Sequence, residues 1–260
     1  MKALNQEEIK QICELYKKFG NVRDVKRRST ASIGTIHKYL TLNSVISKHN
    51  IVKSLSSTDS CLIGAYVGLW MGDGTQYKDR HIYTIKICTN KNDKILNAFV
   101  ADVIFRIFGK KSYFVVEKNR NSAYIKYHSK FIFDFIHEYA TTNGIKTYSV
   151  RLKNKLDSLP DNFLRGCLLG LGLSDGFLKK NFVFSVASRG LAMNMQDILM
   201  KFGFTPKYRI QNRPNKADAH VVVLGVKESK ILGEFLDKTI IEIGYHNKFM
   251  GLKYGGPGEI

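Results

Sequence analysis

The residues best placed to do chemistry are a pair of aspartates. Asp73 stands in YVGLWMGDG (Tyr66 to Gly74) and Asp175 in LLGLGLSDG (Leu168 to Gly176), each at the end of a glycine-punctuated apolar run and just before a further glycine. Such runs form buried helices, so each carboxylate falls at a helix C-terminus, where the macrodipole disfavours an anion by about 0.3–1 kcal/mol. One Asp-Gly at such a place would be an ordinary helix-ending turn. Two carboxylates brought together repel, and either one pKa rises or a cation settles between them. Carboxylate oxygens, with main-chain carbonyls released at the helix ends, form a hard donor set that suits Mg2+ better than zinc.

The spacing provides a way to bring them together. Asp73 and Asp175 lie 175 − 73 = 102 residues apart, and the same offset relates Gly64 to Gly166, Gly68 to Gly170, Leu69 to Leu171 and Gly74 to Gly176, with Ser174 matching Gly72. On a helix, Gly64, Gly68 and Gly72 make one stripe without side chains, and Gly166, Gly170 and Ser174 make another. An interior glycine costs about 0.5–1 kcal/mol relative to alanine. Close packing of the two helices along a pseudo-twofold axis would offset that cost and leave the acids side by side. Trp70 and Met71, bulky for such a stripe, read as core.

The segments that must position the helices also repeat. Each motif is followed by an alternating segment (HIYTIKICT; KNFVFSVAS), an amphipathic helix (NDKILNAFVADVIFRIFG; LAMNMQDILMKFG), further strands (KSYFVVEK and SAYIKYH; PKYRIQNR and AHVVVLGV) and a closing helix (KFIFDFIHEY; ESKILGEFLDK). Each unit therefore reads helix, two strands, helix, two strands, helix, and the fold class is α+β with pseudo-symmetric αββαββα repeats. The expected divisions are residues 1–55, 56–155 and 156–260.

The first of these is a helical module. NQEEIKQICELYKKFG carries Ile9, Ile12, Leu15, Tyr16 and Phe19 on one face; a second helix holds Val22 and Val25; a turn at Ser29 and Thr30 leads to a third with Ile33, Ile36 and Leu40. The pattern is similar to a helix-turn-helix, in which Ser32, Thr35, His37 and Lys38 would face bases or phosphates, although a plain helical hairpin shows the same periodicity. Residues 41–59 read as a polar, serine-rich linker.

Charge points to the partner. The chain has 260 residues, with 41 Lys+Arg against 22 Asp+Glu and a net charge of +19, in an otherwise ordinary composition of 44% apolar and 24% charged residues. A surplus of that size favours a polyanion, nucleic acid before a membrane surface. The longest uncharged apolar run, Cys61 to Gly72, has 12 residues, too few to span a bilayer. The N-terminus shows no secretory signal, and Cys13, Cys61, Cys88 and Cys167 are dispersed like reduced core thiols, so an intracellular, reducing compartment, cytoplasmic or organellar, is expected.

The two nine-residue motifs resemble the signature of the LAGLIDADG homing endonucleases, in their single-chain, two-repeat form, and the resemblance covers about residues 60–250. It implies signature helices at the repeat interface, saddle-shaped sheets holding double-stranded DNA in the major groove, and a monomer that makes a double-strand break at a long target site, as intron-encoded members do. Mg2+ would be the cofactor, Mn2+ a substitute, and Ca2+ an ion supporting binding without cleavage. Asp73 and Asp175 would bind the metal with the carbonyls of Gly72 and Ser174. Asn90 with Lys91, and Ser188 with Arg189, fit the polar site at the end of each second strand; Lys227, and either His128 or Lys126, fit the basic site on each fourth strand.

The strands supply a reading surface: Thr75, Gln76, Lys78, Arg80, Tyr83 and Lys86 in the first repeat, and Lys180, Lys207, Arg209, Gln211 and Arg213 in the second. NRPNKADAH reads as a loop at a DNA flank. The alternative to a nuclease is an RNA maturase or a non-cleaving transcription regulator on the same scaffold.

Overall fold

The computed structural model describes residues 4–19, 22–43, 57–118, 121–246 and 249. They fall into two compact units, Met1–Leu55 and Ser56–Ile260. The first contains α1 (Gln6–Phe19), α2 (Val22–Arg27) and α3 (Ile33–Leu42). A reciprocal capping box starts α1: Glu8 N–H donates to Asn5 Oδ1 and Asn5 N–H to Glu8 Oε2, both at 2.8 Å. Ile12, Val25, Ala31, Ile36 and Leu40 are buried together, with Leu15 and Tyr16 packed against them. Ile33, expected on that face, is 48% exposed as the first residue of α3. The expected linker is shorter than 41–59: α3 runs to Leu42 and the next helix begins at Ser57, while 44–56 lie outside the described residues.

The second unit opens with α4 (Ser57–Asp73), β1 (Gly74–Asp79), β2 (Ile82–Asn90), α5 (Lys94–Phe108), β3 (Tyr113–Val116), β4 (Ser122–His128) and α6 (Lys130–Tyr139). A connection follows, made of β5 (Ala140–Thr141), the single helical turn α7 (Lys146–Ser149), β6 (Arg151–Leu152) and a 3-10 turn at Leu156–Ser158. The series then recurs as α8 (Asp161–Ser174), β7 (Gly176–Leu178), β8 (Phe182–Val186), α9 (Arg189–Lys201), β9 (Lys207–Gln211), β10 (Ala219–Val223) and α10 (Val226–Glu242). Both four-stranded sheets are antiparallel, in the matching orders β1-β2-β4-β3 and β7-β8-β10-β9. The αββαββα reading of each repeat is the observed one.

One face of each sheet is covered by helices. Ile85, Ile87, Ala123, Ile125 and Tyr127 point there in the first repeat, and Leu178, Phe182, Phe184 and Val222 in the second, all under 9% exposed. The Tyr66 and Tyr127 hydroxyls hydrogen-bond at 2.5 Å, which ties α4 to β4 without an unpaired buried oxygen. Trp70 and Met71 are core residues, each 1% exposed. No disulfide links the four cysteines; Cys61 and Cys167 are buried, whereas Cys88, expected in the core, is exposed on β2. No helix among the described residues is long and apolar enough to cross a membrane.

Candidate active site

The site begins with two backbones in contact. A methyl group at Gly64 would lie 1.9 Å from the Phe163 carbonyl oxygen, and one at Gly166 would lie 1.9 Å from that of Cys61. At Gly68 it would meet Cys167 O at 2.4 Å, and at Gly170 Ala65 O at 2.2 Å. No side chain fits in that space, which explains helix-interior glycines despite their conformational cost. The stripes therefore hold α4 and α8 side by side along their length.

They also bring the helix ends together. A methyl group at Gly72 would lie 2.0 Å from Ser174 Oγ and 2.8 Å from Asp175 Oδ2, so the Asp175 carboxylate rests against the last turn of α4. Asp73 is the final residue of that helix. Asp175 caps α8, its N–H donating to Leu171 O at 3.1 Å, and Gly176 then starts β7 directly beneath the helix, where a methyl group would lie 2.6 Å from Gly172 O. The strands leave the helices at the acids, which places the foot of each helix at the inner end of a sheet.

A third ionisable group enters from the connection. Lys146, on α7, donates from Nζ to the carbonyl oxygens of Met71 at 2.7 Å and Gly72 at 2.9 Å, and its ammonium lies 5.1 Å from the Trp70 ring. Burial pushes its pKa down from 10.5 to about 8, although Asp175, Asp73 and Cys88 favour the charged form. Near the α8 end Ser174 Oγ turns back to Gly170 O and Leu171 O, both at 3.1 Å. A cleft of about 230 Å³ opens here, lined by Gly72, Lys146, Asp175, Ser185 and Arg213 among others. Burial and the Asp73 charge raise the Cys88 thiol pKa, so Cys88 lies within electrostatic reach of Asp73.

The strand registers sort the expected reading residues. Thr75, Lys86 and Lys126 share one row of the first sheet and Tyr77, Thr84 and His128 the next, all on the face away from the helices. Lys86 Nζ lies 4.5 Å from the Tyr124 ring and 5.2 Å from that of Tyr77 on that face. Gln76, Lys78 and Tyr83 alternate to the other side. There Gln76 meets His137 of α6 at 2.6 Å and the Tyr83 ring packs edge-on against Phe133, with Lys78 over Tyr83. The expected surface of the first repeat is thus divided between two faces. In the second sheet Lys207, Arg209 and Gln211 all occupy the open face, with Phe177 beside them. Arg80 and Lys180 sit in the hairpin turns, Arg80 with a left-handed φ of 49°. Arg189 is exposed at the start of α9, and Arg213 reaches the cleft while its Nε donates to Ala217 O at 3.0 Å.

Several expected side chains stand elsewhere. Lys227 is not on a strand: β10 ends at Val223, Gly225 precedes the helix, and Lys227 lies in the first turn of α10. His128 does lie on β4 but pairs with Thr84, three residues along the ladder from the row of Gly74, roughly 10 Å at strand rise. Its Nδ1 is 2.9 Å from Thr84 Oγ1, so it is not gathered with the acids. Asn90 ends β2 and its Oδ1 accepts from Asn92 N–H at 2.9 Å, holding the turn at exposed Lys91. Ser188 is buried, donating to Val150 O at 2.7 Å and capping α9 through Leu191 N–H. In the helical module, Ser32 Oγ caps α3 through Thr35 N–H at 3.1 Å and pairs with Thr35 Oγ1 at 2.8 Å. Lys38 is exposed; the His37 side chain lies outside the described residues.

No protein-family model and no curated protein matches the sequence. Solved structures do. A mesophilic variant of the homing endonuclease I-DmoI superposes with a TM-score of 0.55 at 12% identity, covering 69% of this chain and 92% of that one. I-DmoI in complex with DNA and Ca gives 0.53 at 13% identity over 69% and 91%, and its complex with DNA and Mn gives 0.53 at 12% over 73% and 99%. This chain has the LAGLIDADG fold. Within the LAGLIDADG frame α4 and α8 are the signature helices, and Lys146 is the residue that sequence reasoning missed. It lies in the connection that follows the first repeat and sits in a stretch, TTNGIKTYSVR, without a periodic signal; the 102-residue offset maps it onto Lys248, which lies outside the described residues.

Proposed function

We propose that the protein is a site-specific DNA endonuclease that hydrolyses phosphodiester bonds with the help of divalent metal. The observation that carries this reading is that Asp73 and Asp175 end two helices packed backbone to backbone, with the Asp175 carboxylate against the last turn of α4. The donor set fits a hard cation: carboxylates and main-chain carbonyls converge there, and the Met71 and Gly72 carbonyls already hold a cation, the Lys146 ammonium. Among the described residues no group of three or more His, Cys, Asp or Glu is gathered, so main-chain oxygens, water and phosphate would complete the coordination. Asp73, Asp175 and the Gly72 and Ser174 carbonyls would hold the metal, which supplies Lewis-acid stabilisation and an activated water.

The chain's own residues do the rest. The open faces, with Thr75, Lys86 and Lys126 on one and Lys207, Arg209 and Gln211 on the other, bind and align the duplex so that a phosphate of each strand reaches the helix ends. Arg213 and Lys146 line the cleft with positive charge where charge on phosphate must be neutralised. One chain supplies both acids, so a monomer suffices. The three-helix unit binds DNA beyond the sheets through α3. I-DmoI, a fold neighbour, has been crystallised with DNA and Ca or Mn. Incubation with Mg2+ and plasmid libraries carrying candidate insertion sites tests the reading: linear product at a recurrent site supports it, whereas tight binding without any nick identifies a non-cleaving regulator.

A further inference from the structure

We infer that the groove between α7 and the β9–β10 loop is a nucleotide-binding subsite for single-stranded DNA, in which Arg213 and Lys216 hold phosphates of one strand while the Tyr148 ring stacks on a base released from its pair. The inference rests on the nucleic-acid reading above and adds a place for one strand beside the acids.

The β9–β10 loop stands beside the cleft and is an ordered turn. Lys216 N–H donates to Arg213 O at 3.2 Å, Pro214 presets the second position and Asn215 takes a left-handed φ of 60°, the pattern of a type II turn. Arg213 Nε donates to Ala217 O at 3.0 Å across its base. Such a turn draws its first and last residues together, and here both are cations, an arrangement that an anion between them stabilises. Opposite the turn stands α7. Its Lys146 ammonium is anchored on Met71 O and Gly72 O, which fixes the short helix against the foot of α4, and Tyr148 beside it is 54% exposed. A cavity of about 590 Å³ lies between the two elements, lined by Thr147, Tyr148, Arg213, Asn215 and Lys216 among others, with no carboxylate in its lining. Thr147, Ala187 and Arg213 line both this cavity and the smaller cleft at Asp175, so the two form one groove. Cavities of about 300–1,000 Å³ take small ligands, so this one admits a nucleotide of one strand and not a paired duplex. A strand with a phosphate at Asp175 runs on past Arg213 towards Lys216, and a neighbouring base meets the one aromatic ring of the lining. Stacking on an aromatic face accepts any base, so the subsite requires no particular sequence.

The test uses the full chain in EDTA, where cleavage plays no part, with a short oligothymidylate carrying one 5-iododeoxyuridine as the probe. Irradiation followed by peptide mass spectrometry should place the crosslink of the wild-type protein on Tyr148. Affinity measured by fluorescence anisotropy should fall about fivefold or more in Tyr148→Ala and stay within about twofold of wild type in Tyr148→Phe, which keeps the ring. Lys216→Ala should make the logarithmic salt dependence shallower by about 0.7, the value for one phosphate contact on a single strand. Crosslinks confined to other residues, such as the tyrosines of the open sheet face, or unchanged affinity in Tyr148→Ala, would overturn the inference. So would an equal loss in Tyr148→Phe, which would make the hydroxyl responsible and not the ring. The wild-type crosslink decides the matter even if Tyr148→Ala does not melt cooperatively. A chain that binds the oligonucleotide through Tyr148 yet nicks no plasmid would count against the endonuclease reading alone.

Discussion

Along α4 and α8 each close contact has a counterpart 102 residues away: Gly64 meets Phe163 O and Cys167 N, and Gly166 meets Cys61 O and Ala65 N. The open faces of the two sheets share almost no side chain. The first carries Tyr77, Tyr124 and Tyr113 around Lys86 and Lys126; the second carries Lys207, Arg209 and Gln211 on the edge strand β9, beside Phe177 and Val183. Backbone-to-backbone packing admits only residues without side chains, so its constraint is the same on both helices and the repeat persists there. An open face is constrained by what it binds. Two faces that differ this much suit a ligand whose halves differ, as the half-sites of an asymmetric DNA target do.

The largest effect should come from adding one methyl group at the symmetric contact. Gly64→Ala and Gly166→Ala each put a carbon 1.9 Å from a carbonyl oxygen, and each should cost on the order of 3 kcal/mol in denaturant unfolding. The two losses should agree within about 0.5 kcal/mol; a tolerated substitution on one helix alone would break the symmetry. The faces should behave differently from one another and from their reverse sides. Replacing Lys207 or Arg209 by alanine should make the logarithmic salt dependence of DNA binding shallower by about 0.9 per lost phosphate contact, and so should Lys126→Ala. Lys78→Ala, on the helix-covered side, should leave the slope unchanged, and an equal change there would undo the assignment of faces. Removing residues 1–55 should shorten a DNA footprint at one end only. An unchanged footprint with a large fall in melting temperature would make that unit a structural one.

A smaller effect concerns pH. Burial pushes the Cys61 thiol up from 9.0 to about 11 and that of Cys167 to about 12. A raised folded-state pKa means that the stabilisation is complete below pH 9.0 and is lost as pH climbs towards those values. Lys146 has the opposite sign, its burial cost being relieved between about 8 and 10.5. Comparison with Cys167→Ala isolates one thiol: between pH 8 and 10.5 wild type should lose up to about 2 kcal/mol more than the variant. A constant difference would show that Cys167 ionises freely in the folded chain.

The helix pair was legible because glycines at a four-residue interval in an apolar helix leave a bare backbone stripe that only a second backbone fills well, and because the interval occurred twice in register. The same backbone argument located both acids. The faces of β1 were not legible: TQYKDR is polar at nearly every position, so alternation left no mark, and Gln76 and Lys78 were grouped with Thr75. Lys227 was misplaced because AHVVVLGV reads as a strand to its end, whereas the ladder stops at Val223 and Leu224 bonds to Phe182 O as the chain turns into α10. Lys146 depends on tertiary placement of a four-residue turn, for which local sequence carries no period.

The most direct measurement is cleavage of a supercoiled plasmid bearing a selected target, by wild type, Asp73→Asn and Asp175→Asn in Mg2+, with binding followed in parallel. Wild type should yield linear DNA; both variants should yield none while binding within about tenfold of wild type, or 1.4 kcal/mol. Linear product formed by either variant at the wild-type rate would contradict the account.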